Sequence, residues 1–204
     1  MKKKISTAVM VRSALLGAIA AVLMQFDLRL PVFPGFLGLD VSDLPALIGA
    51  VTTGPLSAVL ISLVKNLLDP IIFGTNTGGI GNFANFVMGV ALVVPIGIIY
   101  QRRKNLSGYI IGSAAGIVTM VITACVVNYF ILLPLYSELF IPMDTIISIA
   151  NAVNSNVTDV FTLLLFAIVP FNLLKGGITV VLGYILYRVL KPVFNQLDAV
   201  TQQN

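Results

Sequence analysis

The chain contains no histidine and no tryptophan, and it has a single cysteine, Cys125. Without histidine, Ser-His and Cys-His catalysis and histidine-ligated zinc are excluded. A lone cysteine excludes a disulfide within the chain and a cysteine zinc cluster. The P-loop pattern G-x-x-x-x-G-K-[ST] is also missing, so the chain has no P-loop with which to bind ATP. These absences predict a protein that is not an enzyme and that holds no metal or resident cofactor.

Charged residues are scarce as well. Of the 204 residues, 10% are charged and 58% are hydrophobic, whereas about a quarter of the residues of a soluble domain are charged. A domain of this size cannot bury all of its surface. In water so apolar a chain would therefore expose much hydrophobic area, whereas lipid accepts it. We therefore predict an all-α integral membrane protein that forms a single transmembrane domain over residues 1–204.

Apolar segments define about six predicted spans, since a membrane-crossing helix needs roughly 20 apolar residues. Pro31 and Pro34 end the first span. The second span is short and begins at Ser42-Asp43-Leu44-Pro45, where a capping side chain is followed by an early proline. The predicted spans cover residues 11–30, 43–53, 55–73, 82–100, 109–133 and 170–190.

The last boundary follows from length. Residues 159–191 are largely apolar, and as one helix this stretch is roughly 50 Å long, against a bilayer core of about 30 Å. Pro170 suits the first turn of a helix, so we place the start of the sixth span there. Residues 136–169 then form an extra extracellular segment, helical in part, before the sixth helix.

Basic residues indicate the orientation of the chain. Nine of the twelve flank apolar runs at three places: Lys2, Lys3, Lys4, Arg12, Arg102, Arg103, Lys104, Arg188 and Lys191. With an even number of spans, all three places lie on one side, and the positive-inside rule makes both termini cytoplasmic. This distribution is not the basic stripe that nucleic-acid binding requires. A signal peptide would also explain the N-terminal lysines, but the later spans need the first one to agree in orientation.

Polar side chains gather in the predicted outer halves of four spans, although ionisable groups in a membrane are costly and usually functional. Lys65 and Asp69 share one helix face because they are four residues apart. The same outer halves hold Asn66, Asn82, Asn85, Asn128, Tyr129, Asn172 and Lys175. Aromatic side chains suited to sandwiching a planar ring lie nearby: Phe83, Phe86, Phe130 and Phe171. The clustering predicts an outward-facing pocket for a small polar, planar solute.

Each residue taken alone has a simpler interpretation. The lysines can extend their ammonium groups to the interface, or Lys65 and Asp69 can form only an internal pair. The asparagines can hold helices together, and Tyr129 can belong to an interfacial aromatic belt. Asp40 and Asp43, in the loop after the first span, can be a solvated residue and a helix cap, with a spacing that is only weakly metal-like.

Four stretches resemble the riboflavin-specific members of the substrate-binding (S) components of energy-coupling factor (ECF) transporters. They cover residues 39–49, 63–68, 78–86 and 128–136, and the most specific is Asn128-Tyr-Phe-Ile-Leu-Leu-Pro-Leu-Tyr. The similarity extends over most of residues 1–195, and residues 137–158 depart from the family pattern.

The resemblance implies a multi-pass S component of a bacterial plasma membrane. It would capture riboflavin, or flavin mononucleotide, at the extracellular face as transported cargo. A membrane coupling subunit and two ATPase subunits would then drive import. S components for thiamine, pantothenate or folate stay open as alternatives, and so does a stand-alone carrier driven by an ion gradient.

The resemblance also implies roles for particular residues. Ala14 and Ala18 would contact the coupling subunit, although small residues at this spacing also serve ordinary helix packing. The residues that would bind the substrate are Leu39 and Asp40 in a lid, Lys65 and Asn85 in the lining, and Asn128, Tyr129, Asn172 and Lys175 around the ligand.

Overall fold

The structure is a computed structural model that describes residues 7–201, with side chains described for residues 7–190 and for Pro192. The predicted basic anchor at residues 2–4 and the side chain of Lys191 lie outside the described residues. In the described part of the chain the regular structure is helical, apart from one isolated antiparallel bridge between Leu28 and Leu39. The predicted all-α class is confirmed.

The helices are joined by connections of unequal length. They are α1 (Thr7–Met24), α2 (Leu44–Thr52), α3 (Pro55–Ile72), α4 (Ile80–Arg102), α5 (Leu106–Val127), α6 (Leu133–Leu139), α7 (Met143–Val153), α8 (Val160–Leu163) and α9 (Val169–Thr201). Two π-helical turns, Asn128–Leu132 and Leu164–Ile168, join α5 to α6 and α8 to α9 without a break.

Within residues 7–201, five helical stretches are long and apolar enough to cross a membrane: Thr7–Met24, Pro55–Ile72, Ile80–Arg102, Leu106–Leu139 and Val160–Leu190. The predicted second span is α2, which has 9 residues and is therefore only about 14 Å long. All of its residues except Thr52 are buried, and it packs against α1, α3, α4 and α9. Six spans and their orientation stay predictions.

The first helix ends at Met24, earlier than the predicted end at Leu30. Two backbone hydrogen bonds explain the early end, since Leu28 and Leu39 each donate to the other's carbonyl at 2.8 and 2.9 Å. That exchange requires extended rather than helical backbone at Leu28. Residues 25–43 therefore form a non-helical segment that is held together by the Leu28–Leu39 bridge, and we call it the first loop.

The helix continues past residue 133, the predicted end of the fifth span, and the last helical run does not begin at Pro170, the predicted start of the sixth. Pro134 and Pro170 each lie just after a π turn inside a continuous helix. A proline ring clashes with the carbonyl of the residue four positions earlier. A π turn shifts the carbonyls in that stretch and so admits the ring without ending the helix. The stretch Val160–Leu190 consequently forms one helical run. The predicted outer segment contributes α7 and the first turns of this run.

The outer faces of the bundle are apolar. Ile71, Phe130 and Val189 are each at least 67% exposed, which water would penalise and lipid accepts. Inside, α2 and α9 approach closely at Gly183, where a Cβ atom would lie 2.2 Å from the side chain of Leu47. This contact fixes α9 beside α2 and so sets the position of the polar residues that α9 carries.

Candidate functional site

Lys65 is the centre of a buried polar network at one end of the bundle. Its side chain has 0% exposure. The ammonium group donates to Asp43 at 2.6 Å, to Ser42 at 2.9 Å and to Asn85 at 2.6 Å. Ser42 and Asp43 directly precede α2, and Asn85 lies in α4. An ammonium group has three N–H donors, so these three acceptors use all of them.

Lys175 forms the second ion pair of the network. Its ammonium group donates to Asp40 at 2.7 Å, and both side chains are buried. Asp40 also accepts from the backbone N–H of Ser42 at 2.9 Å and from the Ser42 hydroxyl. Because Ser42 contacts both Asp40 and Lys65, the two ion pairs belong to one network, which we call the lysine network.

The lysine network is electrically balanced, with two ammonium groups and two carboxylates. Burial raises the pKa of Asp40, but the positive charges of Lys175 and Lys65 lower it by more than burial raises it. The pKa of this carboxyl group therefore lies well below its usual range. The carboxylate therefore stays ionised at neutral pH. Balanced pairing of this kind is what makes charge tolerable in a low-dielectric interior.

The position of Asp43 depends on both sequence and close packing. It precedes α2, yet its side chain makes no capping hydrogen bond and pairs with Lys65 instead. A Cβ atom at Gly89 would lie 2.6 Å from Asp43 Oδ1, so glycine is required there. The interpretation of Asp40 and Asp43 as a solvated residue and a helix cap is wrong, because both are buried.

The other simple interpretations of the lysines are also corrected. Lys65 and Lys175 are buried and do not reach the interface. Lys65 and Asp69 share α3 but have different partners: Asp69 accepts from Gln25 and, at 2.7 Å, from Asn82. Asp69 thereby ties the end of α1 to α4, next to the lysine network.

Of the eight predicted substrate-binding residues, the lysine network brings together Asp40, Lys65, Asn85 and Lys175. Leu39 lies beside Asp40 and forms the bridge with Leu28. Asn172 is buried one turn before Lys175 and donates to the carbonyl of Ile168 at 2.8 Å. These contacts place the first loop against α9.

The two remaining predicted residues lie on the π turn after α5. Asn128 is partly buried and donates to the carbonyl of Ala124 at 2.8 Å. Tyr129 is 47% exposed and packs its ring against Phe130, which is itself 70% exposed. The predicted aromatic sandwich is therefore dispersed: Phe171 is buried against Phe33 of the first loop, while Phe130 faces outward.

Ser42 and Asp43 are absent from the predicted site although both contact Lys65 directly. A signal for them existed in the sequence: a buried lysine needs a carboxylate, and the first loop carries the nearest unassigned acids. Local spacing instead favoured Asp69, which lies on the same helix face as Lys65.

The arrangement is suited to binding and not to covalent chemistry. Among the described residues, no group of three or more His, Cys, Asp or Glu side chains is placed to hold a metal ion. The lysine network offers hydrogen-bond donors and acceptors shielded from lipid, beneath a loop that ion pairing fastens to the bundle. Together with the apolar outer faces, this defines a membrane-embedded binding protein.

Residues 8–187 match the family described as "ECF transporter, substrate-specific component". The chain belongs to this family, and the resemblance drawn from the four sequence stretches is confirmed. Its members are components of transporters and not enzymes, in agreement with the absence of catalytic motifs.

Similar proteins support the same assignment. The chain is 32% identical to "Riboflavin transporter RibU" of Staphylococcus aureus (strain TCH60) over 177 residues, covering 87% of each chain. It is 30% identical to "Riboflavin transporter FmnP" of Bacillus subtilis (strain 168), covering 90% of this chain and 92% of that protein. A solved structure described as "Structure and mechanism of the S component of a bacterial ECF transporter" superposes with a TM-score of 0.71 at 30% identity, covering 91% of this chain and 96% of the other.

Proposed function

We propose that this protein captures riboflavin at the extracellular face of the bacterial plasma membrane, as the substrate-binding subunit of an ECF importer. The proposal assigns both termini to the cytoplasm and counts α2, the short second span, to reach six spans. The relatives named as riboflavin transporters support this substrate. The observation that carries the proposal is the lysine network, in which two buried ion pairs fasten the first loop over the outer ends of α3, α4 and α9.

Lys175 is the lysine that faces the ligand. Within the described residues its ammonium group donates only to Asp40, so two of its three N–H donors are available to carbonyl or hydroxyl oxygens of a flavin. Lys65 has three partners already. Riboflavin is neutral, so Lys175 acts on it as a hydrogen-bond donor, and flavin mononucleotide is a second ligand that its charge accommodates.

Asn128 and Asn172 complete the polar contacts. Each uses one amide N–H on a carbonyl of its own helix. The second N–H and the side-chain carbonyl of each amide are then available to the ring edge or the ribityl hydroxyls. Leu39 and Asp40 act as the lid, Lys65 and Asn85 line the site through the network, and Tyr129 borders it.

The contact with the coupling subunit is assigned to α1. Ala14 and Ala18 are exposed, whereas Gly17, between them in sequence, packs on Val64 of α3. The two alanines are therefore not used in packing within the chain, and they leave a shallow surface on which another helix can approach closely. The partners in this proposal are a membrane coupling subunit and two ATPase subunits.

Titration of the purified protein with riboflavin, followed by quenching of flavin fluorescence, tests the proposal. We expect saturable submicromolar binding, a free energy of roughly −8 kcal/mol or better. Asn128→Ala should weaken binding by roughly 1–3 kcal/mol because it leaves a ligand group unpaired. Phe130→Ala, on the exposed side of the same turn, is the matched control and should leave the affinity unchanged.

Two outcomes contradict the proposal. Tight binding of thiamine, pantothenate or folate without flavin binding reassigns the protein to another vitamin. Riboflavin uptake into liposomes that hold only this protein and an ion gradient reassigns it to a stand-alone carrier.

A further inference from the structure

A cavity of about 450 Å³ opens between α4, α5 and α9, at the end of the bundle away from the lysine network. Arg188, which lines it, follows Lys175 by 13 positions on α9, which separates them by about 20 Å along the helix. The lining includes Tyr100, Tyr109, Tyr184, Tyr187, Lys104 and Arg188. Riboflavin capture, as proposed above, uses none of them.

The tyrosines form a rigid wall. The Tyr100 hydroxyl donates to the Tyr187 hydroxyl at 3.0 Å, and the Tyr109 hydroxyl donates to the carbonyl of Val180 at 2.7 Å. The rings of Tyr100 and Tyr187 meet edge to face, with centroids 5.7 Å apart. Aromatic side chains fixed in this way present polar oxygens at defined positions on an otherwise apolar surface.

Two cationic side chains, Lys104 and Arg188, line the cavity. The Arg188 guanidinium lies 5.9 Å from the ring centroid of Tyr184, and within residues 7–190 neither Arg188 nor Lys104 pairs with a carboxylate. Topology explains this, since the acids of that range lie in the first loop, at the far ends of the helices or in the segment around α7. Topological anchoring alone requires basic residues, but it does not require a cavity walled by tyrosines.

An apolar groove of about 410 Å³ runs along α9 beside the cavity, lined by Leu173, Leu174, Gly177, Ile178, Val181 and Leu182. Leu174, Gly177, Val181, Tyr184 and Arg188 recur every three or four residues, so they lie along the same side of α9. The groove and the cavity therefore follow one another along this helix. At Gly177 an added Cβ atom would meet no atom within 4 Å, which means that the groove is open there.

We infer that the cavity and groove together bind one anionic phospholipid. Its phosphate lies between Lys104 and Arg188, its headgroup hydroxyls contact the tyrosine oxygens, and an acyl chain follows α9 past Gly177. Charge-assisted contacts of phosphate with Arg and Lys are strong, and basic pockets between membrane helices select anionic headgroups. A zwitterionic headgroup fits less well, because no carboxylate of the described residues is present to take its cationic part.

Native mass spectrometry of the purified protein, titrated with phosphatidylglycerol or phosphatidylcholine of matched chains, tests this assignment. Two cations near the headgroup should make phosphatidylglycerol bind at least about tenfold tighter. The double variant Lys104→Gln, Arg188→Gln should abolish that preference. The double variant Arg102→Gln, Arg103→Gln is the control. It removes the same charge from the same end of the bundle but outside the cavity, and it should keep the preference for phosphatidylglycerol. Gly177→Leu should weaken binding of both lipids by obstructing the groove, while helix propensity favours its folding.

Several results would overturn the assignment. Equal binding of the two lipids, or equal loss in the two double variants, would mean that diffuse charge and not the cavity attracts lipid. Glycerol 3-phosphate competing as tightly as the lipid, with Gly177→Leu unaffected, would make the occupant a soluble phosphate. Unchanged riboflavin binding and monodisperse elution of each variant establish that the fold is intact.

Discussion

The two buried lysines of this protein have opposite surroundings. Lys65 lies between regular helices, with three partners at 2.6–2.9 Å and no exposure. Lys175 pairs with Asp40 of the first loop and has hydrogen-bonding capacity to spare. In the proposed function, one network thus combines a structural charge, which holds α2, α3 and α4 together, with a charge that is left available to a ligand.

The largest effect is expected from Lys65→Met. Removing this ammonium group leaves Asp43 buried without its cation, and one Asp43 oxygen already has no hydrogen-bond partner among the described residues. Breaking a buried pair in this way costs about 3–5 kcal/mol. We expect a large fall in the Tm of the ligand-free protein in detergent. A Tm equal to that of the wild type would show that Lys65 is not structural.

Lys175→Met should act on the ligand more than on the fold. Lys175 has one hydrogen-bond partner where Lys65 has three, so its removal breaks fewer contacts within the fold. Riboflavin affinity should fall by roughly 1–3 kcal/mol, about 5- to 150-fold, with a smaller change in Tm than Lys65→Met gives. Arg102→Met, which removes an exposed charge, is the control. An unchanged affinity for Lys175→Met would remove the lysine from the site.

The smallest effect concerns pH. Because Lys175 and Lys65 outweigh burial and lower the pKa of Asp40, the stabilising charge on Asp40 is fully present above its unfolded pKa of about 3.9. That contribution is lost only as the pH falls through the lower folded pKa. Riboflavin titrations between pH 5 and pH 8 should therefore give the same affinity at every pH. A titration midpoint inside that window would contradict the ion-paired state of Asp40.

Much of the fold follows from the sequence, because the length of the apolar segments alone locates the long helices. The predictions that failed did so for a physical reason. The fifth span was predicted to end before Pro134 and the sixth to begin at Pro170, but π turns admit both prolines inside continuous helices, and a π turn has no distinctive local pattern. The length of Val160–Leu190 also misleads, since a bilayer limits only the part of a helix inside its core.

The sequence predicts which polar residues gather, but not how they pair. Lys65, Asn85, Asn172 and Lys175 are identified because amides and amines in apolar segments are costly. Their partners depend on tertiary placement: Asp43 and Lys65 are 22 residues apart in sequence, and Asp40 and Lys175 are 135 apart. The tyrosine cavity likewise draws on three helices, and only the spacing of Tyr184, Tyr187 and Arg188 hints at it.

The bridge between Leu28 and Leu39 bears on kinetics. In the proposed function the first loop is the lid, and a segment tied at its base is expected to leave α9 as one unit. Ligands that share one entry barrier arrive at similar rates and differ mainly in how long they stay. The proposal therefore predicts that discrimination among vitamins is a matter of residence time.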